Sequence, residues 1–320
     1  MLIMYFSKPI RQHLIYKSAL KMRRGRIRAE NLAVIDRMIE IFGNKIPYLE
    51  SYRDKLVPLV HRTGRYLDKL IDLIPGPVVL DPDQWDRDPV INSICESGKQ
   101  TSELLTDSKL LTQFFQDSSA DVAFALLTAE KKEKTVFVSE KFGEIFRRDV
   151  LKKAIFFKRH QVSAPSSVLT ETRAQVRYQL FADLFAMVAE KISDLKEFKA
   201  RLEMQLDEAV AKMALYADGS DKKKEFDALH KTIEGKIKSI ETLLKSPKDY
   251  VAHLHDLLQK PKLQLSAKPV SFKLNKMGIE LKGSSTERAN EFSLAEFELS
   301  SGKKWVATWI RVDRSFFKPF

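Results

Sequence analysis

The sequence predicts an α+β protein that is predominantly α-helical, with a long antiparallel helical hairpin or bundle and two small antiparallel β segments. Apolar residues recur every three, four or seven positions over 168–216, which is typical of a helix. Short runs rich in Val, Ile and Phe, typical of strands, occur at about 121–161 and about 262–314. Only 11 Gly and 12 Pro occur in 320 residues, which favours long elements with few connections.

Residues 1–120 are predicted to form a basic N-terminal arm and a helical region. The apolar spacing is helical from Arg28 to Ile74, and Gly43 with Pro47 predicts a break that divides this stretch into two helices. The Pro-Gly-Pro sequence at 75–77 ends the second helix. A further short helix is predicted within 101–117.

Residues 121–161 are predicted to form a small β-meander of three or four strands. The charged run Glu-Lys-Lys-Glu-Lys at 130–134 and the pair Phe142-Gly143 are interpreted as turns between these strands. The meander could be a small sheet or part of a barrel.

Residues 162–260 are predicted to form the helical hairpin. The helix over 168–216 would be about 75 Å long at about 1.5 Å per residue. A turn at 217–220 leads into a returning helix, whose apolar positions include Ile233, Ile237 and Ile240. Ser246, Pro247 and Asp249 then start a short helix that ends before Pro261.

Residues 261–320 are predicted to be β-rich, with strand patterns at 263–266, 270–281, 291–299 and 304–312. The boundaries therefore fall at about 120, 161 and 260. The two β segments could form separate small sheets or one joint sheet, and the four regions could also form one intimately packed domain.

The net charge of +12 is concentrated in three regions. Residues 1–30 carry eight Lys or Arg against Glu30, residues 141–160 carry seven against Glu144 and Asp149, and the last twenty carry five against Asp313. Clustered cations attract phosphates and other anions. They also occur as ordinary solvated surfaces.

The basic N-terminus is the first candidate anion-binding site. Ile10, Leu14 and Ile15 form a short apolar stripe beside basic residues, as in an amphipathic helix. Such an arm could bind nucleic acid or an anionic membrane surface, or it could dock on the core of the protein with its arginines in solvent. Its candidate residues are Arg11, Lys17, Lys21, Arg23, Arg24, Arg26 and Arg28.

The predicted strand at 304–312 is the second candidate site. Alternation places Lys303, Trp305, Trp309 and Arg311 on one face. Two indoles beside two cations suit stacking on bases and contact with phosphates. The alternative is that the Trp rings pack on helices while the cations reach solvent.

The sequence predicts no catalytic residue, no cofactor-binding residue and no metal ligand set. The one cysteine, Cys95, excludes an intramolecular disulfide and fits a reducing compartment. No run of about 18 apolar residues occurs, so no transmembrane segment is predicted. These features favour a cytoplasmic protein.

Three functions stay open. The long helical pattern favours a non-enzymatic interaction or scaffolding protein that binds a protein partner or a second copy through the hairpin. The basic regions favour nucleic-acid binding, with an anionic membrane surface as the other anionic partner. The third is an enzyme whose site residues are scattered through the fold.

Overall fold

The computed structural model describes residues 8–46, 48–142, 145–281 and 288–316, with side chains other than those of 8–24, 140–142, 145–147 and 247. The chain divides into two compact units. The chain up to Arg65 and Phe181–Pro261 form the first unit. Tyr66–Leu180 and the chain from Lys262 onward form the second.

The first unit is built from helices. Its members are α1 (Lys8–Phe42), most of α2 (Arg53–Ile71), the part of α6 (Leu169–Ala214) from Phe181 onward, α7 (Asp221–Leu243) and α8 (Pro247–Gln259). A short 3₁₀ helix, Glu50–Tyr52, precedes α2. The break between α1 and α2 lies where Gly43 and Pro47 predict it.

Packing within the first unit joins helices that are distant in sequence. The rings of Phe42 and Phe185 lie 6.1 Å apart between centroids. The buried Thr63 hydroxyl donates a 2.9 Å hydrogen bond to the carbonyl of Leu258, which links α2 to α8. The bond satisfies a hydroxyl that would otherwise be buried without a partner.

α6 and α7 pack along one apolar seam. Leu202 of α6 is buried in a cluster with Ile233, Ile237 and Ile240 of α7. Ser220 begins α7 by accepting a hydrogen bond from the backbone N–H of Lys223 at 3.3 Å. This cap satisfies a donor that a helix N-terminus leaves open, and it fixes where the chain turns back.

The second unit is built around a curled six-stranded sheet. Its strands are β1 (Val78–Val79), β2 (Val122–Phe142), β3 (Ile145–Ser166), β4 (Leu265–Leu274), β5 (Asn290–Leu299) and β6 (Lys304–Asp313). The order is β3-β2-β6-β5-β4, and all of these neighbours are antiparallel. β1 lies parallel to β6.

Residues 275–281 link the two edge strands of the sheet. The N–H of Glu280 donates to the carbonyl of Lys153 on β3 at 2.8 Å, and the N–H of Leu281 donates to the carbonyl of Lys273 on β4 at 2.9 Å. The carbonyl of Gly278 also accepts from the N–H of Ile155 at 2.8 Å. The segment thereby covers part of both edges, which would otherwise be open to pairing.

Three short helices cover the core of this sheet: α3 (Pro89–Ile94), α4 (Gly98–Thr106) and α5 (Lys109–Asp117). Side chains from these helices and from the strands form one buried cluster. It includes Ile91, Leu105, Phe115, Ala125, Leu127, Phe157, Phe272, Leu294, Val306 and Ile310.

The predicted fold class is wrong. The chain is 56% helical and 26% strand, and both predicted β segments belong to one six-stranded sheet rather than to two small ones. β2 pairs with β6 from Val122 to Ala129, so the two segments join edge to edge in one sheet, and their inward side chains share one core. The charged run at 130–134 continues β2 instead of turning, which merges the predicted meander into two strands of 21 and 22 residues.

Truncating the seam between α6 and α7 should destabilise the hairpin. We expect Leu202→Ala to lower the local free energy of unfolding by about 2 to 4 kcal/mol, because Leu202 is buried. Leu215→Ala is the control, since Leu215 is 80% exposed, and it should change this energy by less than about 0.5 kcal/mol. Hydrogen exchange of the α7 amides measures both; equal effects would contradict the seam.

Closing the sheet through Gly278 requires glycine. Gly278 has φ +73°, and a Cβ there would lie 2.7 Å from the carbonyl oxygen of Ile155. Gly302, with φ +84°, has open space around its Cβ position. We therefore expect Gly278→Ala to cost at least about 2 kcal/mol and Gly302→Ala only about 1 kcal/mol. Tryptophan fluorescence in urea measures this, because all three Trp residues lie in the second unit.

Candidate interaction surfaces

The basic N-terminal candidates lie on α1. The backbone of Arg11, Lys17, Lys21, Arg23 and Arg24 is helical, and their side chains lie outside the described part of the chain.

Two further candidates on α1 have described side chains. Arg26 is exposed and pairs with Glu30 at 3.0 Å. Arg28 is exposed and pairs with Asp54 of α2 at 3.1 Å. Exposed ion pairs of this kind are weak, so both guanidinium groups stay accessible to an anion.

One end of the candidate face on β6 is partly exposed. Trp305 is half-buried and stacks on Phe297, with ring centroids 5.5 Å apart and planes 9° from parallel. The Lys303 ammonium lies 6.0 Å from the Trp305 ring centroid. This cation and ring are together, as alternation predicts.

The other end of this face is covered. Trp309 is 1% exposed, and the Arg173 guanidinium of α6 lies 6.0 Å from its ring centroid. Arg311 is exposed and pairs with Asp313 at 2.9 Å. Because its ring has almost no solvent-accessible surface, Trp309 has no free face on which a base could stack.

The sequence-predicted candidates thus fall into separate sets. Arg26 and Arg28 belong to the first unit, and the β6 residues belong to the second. Within β6 the structure brings Lys303 and Trp305 together and leaves Arg311 apart with Asp313. Nucleic-acid or anionic-membrane binding through these residues stays a prediction.

A two-stranded ribbon extends from the sheet beyond the end of β6. Past Ala129, β2 pairs only with β3 in the described part of the chain. Phe137 and Leu151 face each other across this ribbon and are 69% and 62% exposed. Residues that are paired across two strands lie on the same face of a sheet, and so do alternate residues of one strand. Phe137 and Leu151 therefore lie on the same face as Ile155 and Phe157, which enter the core.

The opposite face of the ribbon is basic near its base. The register places four lysines on this face: Lys132, Lys134, Lys152 and Lys158. Residues 130–159 carry ten Lys or Arg against five Asp or Glu. Neither Phe137 nor Leu151 is a sequence-predicted site residue. The signal that could have found them is the uncharged run 135–139 between charged neighbours.

An ion-pair network crosses the sheet at the base of the ribbon. Lys131 of β2 pairs with Glu296 of β5 and, at 3.2 Å, with Glu133. Lys153 pairs with Glu133 at 2.7 Å, and Lys268 pairs with Glu296 at 3.2 Å. Lys131 and Glu296 are only 17% and 7% exposed, so each charge needs the other to offset its loss of hydration.

The network shifts the pKa values of Glu296, Glu133 and Lys131. Burial raises the pKa of Glu296, but hydrogen bonds from Lys131 and Lys268 outweigh burial and leave that pKa below its ordinary value. A hydrogen bond from Lys153 likewise lowers the pKa of Glu133. Burial lowers the pKa of Lys131, yet its bonds to the two glutamates raise it overall. All these groups are therefore charged at neutral pH.

A cleft of about 730 Å³ lies within the second unit, beside β3 and the turn at 275–278. Trp85, Phe156, Lys276 and Arg288 are among its lining residues. Asn290, also in the lining, donates hydrogen bonds to Asn92 Oδ1 at 2.7 Å and to Ser93 Oγ at 3.2 Å. The lining combines aromatic surface with two cations and the two carboxylates of Asp86 and Glu96, and the amide of Asn290 is already paired with that of Asn92.

Burial shifts the pKa values of two side chains next to Ile94, a lining residue of this cleft. Burial raises the pKa of the Cys95 thiol to about 11, so the thiolate is scarce at neutral pH. Burial also lowers the pKa of His160, whose Nε2 lies 2.9 Å from the carbonyl oxygen of Ile94. Within the described residues, no three His, Cys, Asp or Glu side chains cluster closely enough to hold a metal ion.

No family model matches the chain, and neither a curated protein nor a solved structure matches it. Of the helices in the described ranges, none has the length and apolar character needed to cross a membrane. The surfaces above are therefore interpreted from their own chemistry.

Removing Glu296 should destabilise the second unit. We expect Glu296→Gln to cost about 2 to 3 kcal/mol, because Lys131 loses a charged partner in a buried position. Glu298→Gln is the control on the same strand: Glu298 pairs with Lys304 at 2.9 Å in an exposed position and should cost less than about 1 kcal/mol. Urea unfolding followed by tryptophan fluorescence measures both.

The same network predicts a pH dependence. A carboxylate whose pKa is lowered by folding stabilises the folded state above its ordinary pKa, and that stability is lost as pH falls through the lowered value. Glu133 and Glu296 should therefore make the second unit less stable as pH falls below about 4.5. Glu296→Gln should flatten this slope; an unchanged slope would contradict the assignment.

Proposed function

We propose that this chain is a non-enzymatic interaction protein of the cytoplasm that binds a protein partner through the hairpin of α6 and α7. The observation that supports the proposal is the exposed apolar surface of this hairpin away from its seam. Met204 is 72% exposed and Leu215 is 80% exposed. Large apolar side chains that stay this accessible are common at partner-binding surfaces.

Exposed side chains form a stripe along the back of α6. Ala200, Met204 and Ala211 are separated by four and seven residues, so they share one helix face, and Leu215 follows directly after the last residue of α6. The seam residue Leu202 lies on the opposite face of the same helix, as its burial against α7 requires. A partner helix could pack on this stripe without disturbing the hairpin.

The surroundings of the stripe support a stable platform rather than a mobile arm. Lys199 pairs with Glu241 across the hairpin at 2.9 Å and with Glu203 at 3.3 Å. Tyr216 and Phe226 stack near the turn, with ring centroids 5.8 Å apart. Contacts between the two helices at both ends of the shared seam hold α6 in place, which lowers the entropy that binding would cost.

The cytoplasmic location is part of the same proposal. The chain has one cysteine, and Cys95 is a buried free thiol. A core that includes a free thiol fits a compartment in which thiols stay reduced.

Placing charge on the stripe should abolish partner binding without unfolding the hairpin. The test variant is Met204→Glu with Leu215→Glu, and the matched control is Gln205→Glu with Ala217→Glu, which adds two equal charges at other exposed positions. Tagged proteins are isolated from the native cells, and co-purifying proteins are quantified by mass spectrometry. The expected result is one protein retained by wild type and control and reduced at least tenfold with the test variant.

The partner identified in this way is then titrated against the purified chain. Its dissociation constant should rise at least tenfold for the test variant and less than twofold for the control. If wild type and test variant retain the same proteins with equal affinity, the proposal is wrong.

A further inference from the structure

The free edge of β2 is an unprotected pairing surface. β6 covers this edge only from Val122 to Ala129, and the strand continues to Phe142 without another neighbour on that side in the described part of the chain. Thr135–Ser139 has the sequence Thr-Val-Phe-Val-Ser, which contains no charge, no Pro and no Gly. A β-prone, uncharged run on an open edge readily pairs with another strand.

β2 keeps the regular geometry that such pairing needs. The β2–β3 register shifts at three places, and each time two steps on β2 correspond to three steps on β3. The extra residues therefore lie on β3, where Asp149, Arg159 and Ala164 have φ of 63°, 53° and 54°. β2 itself has no extra residue, so its outer edge presents evenly alternating donors and acceptors.

The sequence of this edge is complementary to itself. If two copies of β2 pair antiparallel about a two-fold axis at Phe137, Val136 lies opposite Val138 and Thr135 lies opposite Ser139. Beyond them, Lys134 lies opposite Glu140 and Glu133 lies opposite Lys141. Within residues 133–141, each charged position thus meets the opposite charge of the second copy, although the whole chain carries +12.

The same register extends the exposed apolar pair of Phe137 and Leu151 across the two copies. Leu151 lies beside Phe137 within one chain. Across the two-fold axis, the two Phe137 positions become direct neighbours. The four strands then carry a continuous row of Leu, Phe, Phe and Leu on one face. Cross-strand aromatic and aliphatic pairs of this kind stabilise sheets.

We propose that two copies of this chain pair through the outer edges of β2, antiparallel and centred on Phe137, to form an intermolecular four-stranded sheet. This interface is isologous, because the same surface is used by both copies. It involves a different element and a different partner from the α6–α7 hairpin, so each proposal can fail alone.

The first experiment exchanges the complementary charges. Lys134→Glu and Glu140→Lys, each alone, place like charges opposite each other at two symmetric positions. The double variant restores opposite charges. Light scattering over a concentration series should give twice the 36.8 kDa chain mass for wild type and the double variant. Each single variant should show a dissociation constant raised at least tenfold. Loss of pairing in the singles without recovery in the double overturns the register.

The second experiment traps the two-fold axis by a disulfide. Phe137→Cys places two thiols directly opposite, about 4.5 to 5.5 Å apart between Cα atoms, within the range for a disulfide. Thr135→Cys is the control, because Thr135 is also exposed on the ribbon and shares the face of Phe137. The two Thr135 positions would lie about 13 Å apart along the strands at about 3.3 Å per residue. Cys95 is buried and contributes little background.

Mild oxidation should convert most Phe137→Cys protein to a covalent dimer and leave Thr135→Cys as single chains on non-reducing gels. Equal cross-linking of the two variants overturns the proposal. Wild-type protein whose mass stays at that of one chain up to 100 µM also overturns the proposal. This concentration is about a hundredfold above a micromolar dissociation constant. A dimer that the hairpin variant Met204→Glu with Leu215→Glu dissociates, while the ribbon variants do not, also overturns the proposal.

Discussion

The pairing of β2 with β6 is the interaction on which the second unit depends. It joins residues 122–129 to residues 306–313, which are separated by most of the chain, including all of α6, α7 and α8. The side chains that this pairing buries, among them Ala125, Leu127, Val306 and Ile310, form the centre of the core under the three short helices. Without the β2–β6 pairing, the β2–β3 pair and the β4–β5–β6 strands would be separate, and each would keep one apolar face in water.

That pairing also determines which surfaces are left free. The pairing of β6 with β2 ends at Ala129, so β2 continues as a ribbon with an open outer edge. The buried ion pair between Lys131 and Glu296 lies where this ribbon leaves the sheet. At that point the two charged groups are shielded from water. The network gives these groups their polar partners.

Local features of the fold could be predicted from the sequence, and its long-range pairing could not. The spacing over 168–216 predicts a helix where α6 runs from Leu169 to Ala214, and the capping box of Ser246 and Asp249 begins α8 as expected. These signals act within a few residues. The register between β2 and β6 depends on shape and burial across the whole unit, so the sequence leaves open whether the two β segments form one sheet.

The candidate sites show the same division. Alternation correctly places Lys303 beside Trp305, because side-chain direction follows from the strand itself. Alternation gives no information about which other elements cover a face of the strand. The structure places the Trp309 ring under Arg173 of α6, which alternation could not predict. The complementary edge of β2 could have been read from residues 133–141, but the charged run at 130–134 is also typical of a turn.

The distance in sequence between β2 and β6 has a consequence for synthesis of the protein. The β2–β3 hairpin is complete at Ser166, and β6 begins at Lys304, about 140 residues later. At about 5 to 20 residues per second, translation of that interval takes roughly 7 to 28 s. During this time the nascent hairpin lacks β6 as a neighbour at the edge of β2. The sheet therefore cannot be completed before β6 has been synthesised, and the exposed apolar residues of the emerging hairpin can bind chaperones until then.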